Sequence, residues 1–293
     1  MHARQKQAFE MENTTHTEKT MDYTGERMVP EAADLNTYWE HVFRYAFACK
    51  LVKEAAVSQP SVLDIASGEG YGTYALSQVS KDIVGVDISA EAVEHARQKY
   101  GLNFKVGSAE AIPVESGSID TLVSFETVEH VPEPGKFVSE AFRVLKPGGL
   151  FVVSTPNKNV YLKGQEANPF HCSEMTKEEF INLLNPAFEV KRIFGQVYQT
   201  TPLDRLQHVI GMFSDRLGYY VRRNVELVLR SRYLPNTIAS DAAERRRMVE
   251  AIPTLSPPFN RFWNPYALSA LTGSSKNQPL YYVVVASRRS ARI

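Results

Sequence analysis

The feature that most constrains this chain is the stretch Val62-Leu63-Asp64-Ile65-Ala66-Ser67-Gly68-Glu69-Gly70-Tyr71-Gly72, where a short apolar run ends in a glycine-rich turn. Such a run reads as a buried strand that turns tightly into a helix, because glycine alone reaches every backbone conformation the turn needs. The sequence around it keeps the same rhythm. Apolar strand candidates at 62–65, 83–86, 104–106, 119–125 and 150–154 alternate with helical stretches at 72–78, 90–100 and 134–145. Strands that are apolar throughout, separated by helices, imply a parallel sheet covered on both faces.

The flanks add further elements. Residues 1–20 are polar and without apolar periodicity, and are expected to be a disordered tail. Residues 21–58 carry a loop and an amphipathic helix, with Leu35, Val42, Phe43, Ala46, Phe47 and Leu51 at helical steps, expected to cover the active site. A core over 59–199 then includes a helix at 176–184 and a strand at 188–194. The segment 280–293 holds a last strand at 280–286, rich in aromatic and β-branched residues, and a basic tail. The 200–279 segment between them is too long for a hairpin loop. Its spacing of Leu203, Leu206, Val209, Ile210, Phe213 and Leu217 predicts a mostly helical insertion or lid.

Length and composition set outer limits. A chain of 293 residues with 43% hydrophobic and 23% charged residues builds one large domain, or one domain with an insertion. The net charge of zero argues against a general nucleic-acid binder. That balance is uneven: residues 1–199 hold 19 basic and 27 acidic side chains, and residues 200–293 hold 14 and 6. Cys49 and Cys172 sit in no paired or metal-like spacing, so reduced thiols in the cytoplasm are expected. No run approaches the roughly 18 apolar residues of a membrane span. The insertion nevertheless intersperses Arg216, Arg222, Arg223, Arg230 and Arg232 with apolar residues, a pattern open to peripheral membrane contact or to an anionic acceptor.

The chemistry of the turn points to a nucleoside ligand. Asp87 follows Gly68 by 19 residues at the end of the second strand, where a carboxylate can accept hydrogen bonds from both ribose hydroxyls. By spacing alone NAD competes. Charge favours S-adenosylmethionine (SAM): the turn holds Asp64 and Glu69 and no basic residue, which opposes a pyrophosphate and suits a sulfonium and an ammonium.

Four stretches in register, Leu63–Gly72, Val84-Gly85-Val86-Asp87-Ile88-Ser89, Gly107-Ser108-Ala109-Glu110-Ala111-Ile112-Pro113 and Arg143-Val144-Leu145-Lys146-Pro147-Gly148-Gly149, resemble the ordered motifs of class I SAM-dependent methyltransferases. The resemblance covers residues 60 to about 195. It implies an α/β, Rossmann-like sheet of seven strands in the order 3-2-1-4-5-7-6, with strand 7 antiparallel and the insertion between strands 6 and 7. It further implies that Asp64, Ala66, Gly68 and Gly70 serve the methionyl part of the cofactor, Asp87 the ribose, and Ile88, Ser108 and Ala109 the adenine. Phe125 would line the sulfonium. Many relatives carry Asp where Ser108 stands.

A narrower set, Thr24–Glu31, His41-Val42-Phe43-Arg44-Tyr45, Ser124–His130, Ser154–Lys158 and Asn168-Pro169-Phe170-His171, resembles a bacterial subgroup encoded with glycan- and sugar-modifying enzymes. It implies a small-molecule or glycan acceptor.

Methyl transfer to a hydroxyl needs a base as the oxygen attacks. His130, just past strand 4, is the first candidate and His171, with Glu174 three residues on, the second. Arg44 and Arg27 are candidates to clamp the SAM carboxylate or an anionic acceptor, and Tyr23 and Tyr45 stand beside them. His130, His171, Glu126 and Glu174 come from distant segments without a compact ligand motif, and no metal is assigned. The function expected is O-methylation of a sugar hydroxyl. N-methylation of an amino sugar or other small amine, and a non-catalytic SAM-binding module, are the alternatives. Oligomeric state is not legible.

Overall fold

The computed structural model describes residues 28–30, 35–161, 170–198, 266–270 and 279–290. The tail, Tyr23, Arg27 and the arginines of the insertion lie outside the described residues.

Helix α1 (Leu35–Glu54) precedes the first strand. There follow β1 (Ser61–Ile65), α2 (Tyr71–Ser77), β2 (Asp82–Asp87), α3 (Ala90–Tyr100), β3 (Phe104–Val106) and β4 (Ile119–Ser124). The second half holds α4 (Pro134–Val144), β5 (Leu145–Pro156), α5 (Lys158–Tyr161), α6 (Lys177–Leu184), β6 (Phe188–Tyr198), β7 (Tyr266–Ala270) and β8 (Tyr281–Arg288). The sheet runs β3-β2-β1-β4-β5-β8-β6-β7. β1 pairs in parallel with β2 and β4, while β8 pairs antiparallel with β5 and β6, Val152 opposite Val285 and Phe194 opposite Val283.

Seven of these strands reproduce the expected order, with the last strand antiparallel between the fifth and sixth. The eighth corrects one expectation. β7 arises inside the segment expected to be mostly helical and pairs antiparallel with β6, Gln196 opposite Leu268. β5 and β6 are also longer than their apolar centres at 150–154 and 188–194, because the ladders continue through Lys146, Pro156 and Gln196, which carry no β signal of their own.

Side chains alternate across the strands, and each face builds its own core. Val152, Val283 and Val285 join α1 and α2 on one face. Phe151, Val153 and Val284 meet Phe137 and Ala141 of α4 and Phe180 of α6 on the other. α1 is unusually apolar on its inner side, with Val42, Phe43, Ala46, Ala48 and Cys49 at 0–1% exposure. At roughly 25 cal/mol per Å2 of apolar surface, this burial anchors α1 beside the β1–α2 turn.

The strand order reverses between β1 and β4, so chain leaving their carboxyl ends diverges and opens a crevice. Among the described residues no helix is long and apolar enough to cross a membrane.

Candidate active site

A pocket of about 340 Å3 lies at that crevice, in the size range of small-molecule sites. Its floor is the β1–α2 turn. The N–H of Gly68 donates to Oδ2 of Asp87 (2.7 Å) and the N–H of Ser89 to Oδ1 (2.9 Å), so the carboxylate ties the turn to the end of β2 and still borders the pocket. Beside it Ile88 is 75% exposed, an apolar side chain with no protein partner for its outer face, as a purine platform requires. Ser108 and Ala109 complete this end.

Two non-glycine residues of the pocket wall have left-handed backbones, Ala66 (φ 58°) at the end of β1 and Glu126 (φ 52°) after β4. Such conformations cost about 1–2 kcal/mol and persist where the surroundings enforce them, characteristically at functional sites. Ala66 stands in the turn where glycine would be free of this cost. The Glu126 carboxylate is fixed by Ser154, whose hydroxyl donates to Oε1 at 2.6 Å, with Nη1 of Arg44 at 4.0 Å.

Several expected site residues therefore meet at the pocket: Ala66, Gly68, Asp87, Ile88, Ser108 and Ala109 at the nucleoside end, and Phe125 and His130 further along. Gly70, Asp64 and Arg44 do not line it. Gly70 is required by packing, since a Cβ there would stand 2.8 Å from Ala96 and from Phe104. Asp64 lies behind the wall, fully buried, its two oxygens accepting from Tyr45 Oη (3.1 Å) and Thr73 Oγ1 (2.7 Å). Burial lifts its carboxyl from 3.8 to about 7. Arg44 is also fully buried: Nη1 donates to Gln196 of β6 and the guanidinium lies 4.6 Å over the Tyr281 ring of β8. Its direct partners are thus protein groups, and its link to the pocket runs through Glu126.

The electrostatic reading of the turn changes in its residues and keeps its sign. Glu69 is buried and engaged by Lys99, His95 and Tyr100, so it presents no charge to a ligand. The carboxylates that border the pocket are Asp87, Glu110 and Glu126, and no lysine or arginine lines it among the described residues. The crevice suits a cation-bearing nucleoside and opposes a diphosphate.

α1 supplies residues whose role the sequence did not single out. His41 and Tyr45, four residues apart on one face, both line the pocket. His41 Nδ1 is 2.9 Å from Tyr71 Oη, and burial, with Arg44 nearby, pushes its imidazole well below the usual value. Spacing of i and i+4 was the available signal. What it lacked was the knowledge that this face meets the turn.

At the far end stands a histidine pair. His130 Nδ1 is 3.1 Å from the carbonyl oxygen of Phe170, and its ring packs edge-on against His171 with centroids 4.8 Å apart. His171 Nδ1 is 3.0 Å from Glu174 Oε1. The amides of Cys172 and Ser173 both donate to the Glu129 carbonyl, which pins the His171 loop onto the loop after β4. Glu129 is fully buried, and burial together with Glu126 raises its carboxyl well above the usual range. Distance along the chain had separated these residues, yet one donor atom each of Glu129, His130 and His171 lies within 4.8 Å of the others.

Known proteins share these features. Residues 63–153, which carry β1 through most of β5, match the methyltransferase domain family. A probable S-adenosylmethionine-dependent methyltransferase of Mycolicibacterium smegmatis is 37% identical over 181 residues, 59% of this chain and 67% of that protein. The ubiquinone biosynthesis O-methyltransferase of Psychrobacter arcticus is 32% identical over 114 residues, 36% of this chain and 44% of that protein. A SAM-dependent methyltransferase from Thermotoga maritima has the same fold, with a TM-score of 0.51 at 18% identity, covering 86% of this chain and 94% of that one. With the glycine turn, the ribose carboxylate and the acidic pocket in place, the chain belongs to the SAM-dependent methyltransferases.

Proposed function

We propose that the protein transfers the methyl group of SAM to a hydroxyl oxygen of a small acceptor, a sugar hydroxyl of a glycan, glycolipid or nucleotide sugar. The observation that carries the reading is His130. It borders the pocket at the end remote from Asp87 and Ile88, where the methyl carbon of a cofactor seated on the turn would point. Its Nδ1–H donates to the Phe170 carbonyl, which leaves the lone pair on Nε2. As the acceptor oxygen forms its bond to the methyl carbon, the C–S bond breaks and its electron pair stays on sulfur. The hydroxyl proton passes to Nε2. Positioning supplies much of the acceleration, and the base supplies the rest.

The oxygen preference is supported by this histidine, because an amine attacks without such help, and by the O-methyltransferase among the relatives. The sugar rests on the resemblance of the His41–Tyr45, Ser124–His130 and Asn168–His171 stretches to the glycan-associated subgroup. In this reading Asp64 acts on the methionyl cation from behind the turn, His171 supports His130, and the protein works in the cytoplasm. The basic 200–279 segment holds an anionic acceptor or rests on a membrane surface.

The test is incubation with isotopically labelled SAM and cell-envelope or nucleotide-sugar fractions, followed by identification of the product. Label in a base-stable sugar methyl ether is the expected result. His130→Ala should lower kcat on that acceptor by about 100-fold or more, with SAM affinity nearly unchanged. Label on nitrogen alone, or unchanged turnover in the variant, would refute the reading.

A further inference from the structure

We propose that Glu129, His130 and His171 form a binding site for one divalent transition-metal ion at the acceptor end of the pocket. Each offers a donor atom, and the three atoms lie within 4.8 Å of one another. A tetrahedral ion with bonds of about 2.0–2.2 Å sets its donors about 3.4 Å apart, so the cluster needs to close by only about an ångström. The donor set is two imidazoles and one carboxylate, a combination that suits zinc-like ions and leaves a fourth position open. Magnesium and calcium prefer all-oxygen sites.

Two further observations point to an ion. Glu129 is fully buried, yet its Oε1, 3.9 Å from His130 Nε2, has no hydrogen-bond partner. An orphaned carboxylate oxygen in the interior is costly unless something positive meets it. Moreover, both histidines are oriented as metal-binding histidines are. His171 Nδ1–H donates to the Glu174 carboxylate and His130 Nδ1–H to the Phe170 carbonyl. In each ring this places the lone pair on Nε2, the nitrogen available for coordination.

The open position faces the pocket that His130 borders. An acceptor hydroxyl coordinated there loses its proton to solvent more readily, since the ion stabilises the alkoxide. The oxygen then attacks the methyl carbon as above, with the C–S electron pair leaving on sulfur. This rests on the O-methylation reading and refines it: in the loaded protein His130 is a ligand, and the metal replaces it as the means of activating the oxygen.

The experiment titrates the full chain, stripped with a chelator, with cobalt(II), and reads visible d–d absorption and stoichiometry. One cobalt per chain, displaced by one equivalent of zinc, is expected. Glu174→Gln removes only the carboxylate that orients His171 and should weaken binding about 10- to 100-fold. Glu129→Gln should weaken it at least as much, with both variants retaining wild-type circular dichroism and SAM affinity. No stoichiometric cobalt binding, or binding indifferent to Glu129→Gln, would overturn the proposal. If the stripped protein methylates a hydroxyl at an undiminished rate and binds no cobalt, this inference falls while O-methylation stands. Cobalt bound as described with methylation confined to amines sinks the O-methylation reading and leaves the metal site.

Discussion

Asp64→Asn should make the protein more stable at pH 8 and less stable at pH 4. The carboxyl is fully buried, and burial raises it from 3.8 to about 7. Below pH 3.8 the group is protonated in folded and unfolded chains alike, and contributes no difference. Between 3.8 and about 7 the unfolded chain releases this proton and the folded chain keeps it, so stability falls as pH rises through that window. At about 1.4 kcal/mol for each tenfold, the total is about 4 kcal/mol at pH 8. Asparagine has no charge to bury and removes that loss. It also mismatches one of the two hydroxyls, Tyr45 Oη and Thr73 Oγ1, that now donate to the carboxylate, at about 1–2 kcal/mol. The net expectation is a gain of about 2–3 kcal/mol at pH 8 and a loss of about 1–2 at pH 4. Urea unfolding of both proteins across pH 4–8, without cofactor, measures it. A difference between them that does not change with pH would refute the reasoning. A wild-type chain that keeps a destabilising acid should gain from it elsewhere: SAM, a cation, should bind Asp64→Asn more weakly at pH 8.

Two other substitutions separate packing from ligand contact. Gly72→Ala places a Cβ 2.0 Å from the Tyr45 ring; it should cost about 1–3 kcal/mol by overpacking and weaken SAM binding by displacing Tyr45 from the pocket, as thermal unfolding and calorimetry would register. Asp87→Ala removes the acceptor of the Gly68 and Ser89 amides and the proposed ribose partner; SAM affinity should fall by at least about 30-fold in calorimetry, about 2 kcal/mol for hydrogen bonds to a charged group.

The sheet was legible because its central strands are buried on both faces and announce themselves as apolar runs, β1 with all five residues buried being the clearest. β7 was not, because Tyr266-Ala-Leu-Ser-Ala has little strand propensity and gains its place from pairing with β6. At the site, Asp87 and Ile88 were readable from position alone, since a strand end at the switch point leaves few directions for them. Asp64 and Glu69 illustrate the limit. Both belong to the turn, yet one turns inward to Tyr45 and Thr73 and the other to Lys99 and His95. The carboxylates that do reach the pocket, Glu110 and Glu126, follow other strands. Arg44 has partners on β6 and β8, 152 residues away in the case of Gln196, and no local signal reports them. The Glu129, His130 and His171 cluster is of the same kind, a product of one loop pinned onto another.

The central claim is that an acidic crevice above the glycine turn admits a positively charged nucleoside and rejects a phosphorylated one. Calorimetric titration of the purified protein with SAM and, separately, with NAD under the same low-salt conditions tests it directly. Saturable one-to-one heat from SAM, weakened by added salt, and none from NAD is the expected result. Equal or tighter binding of NAD would contradict the account.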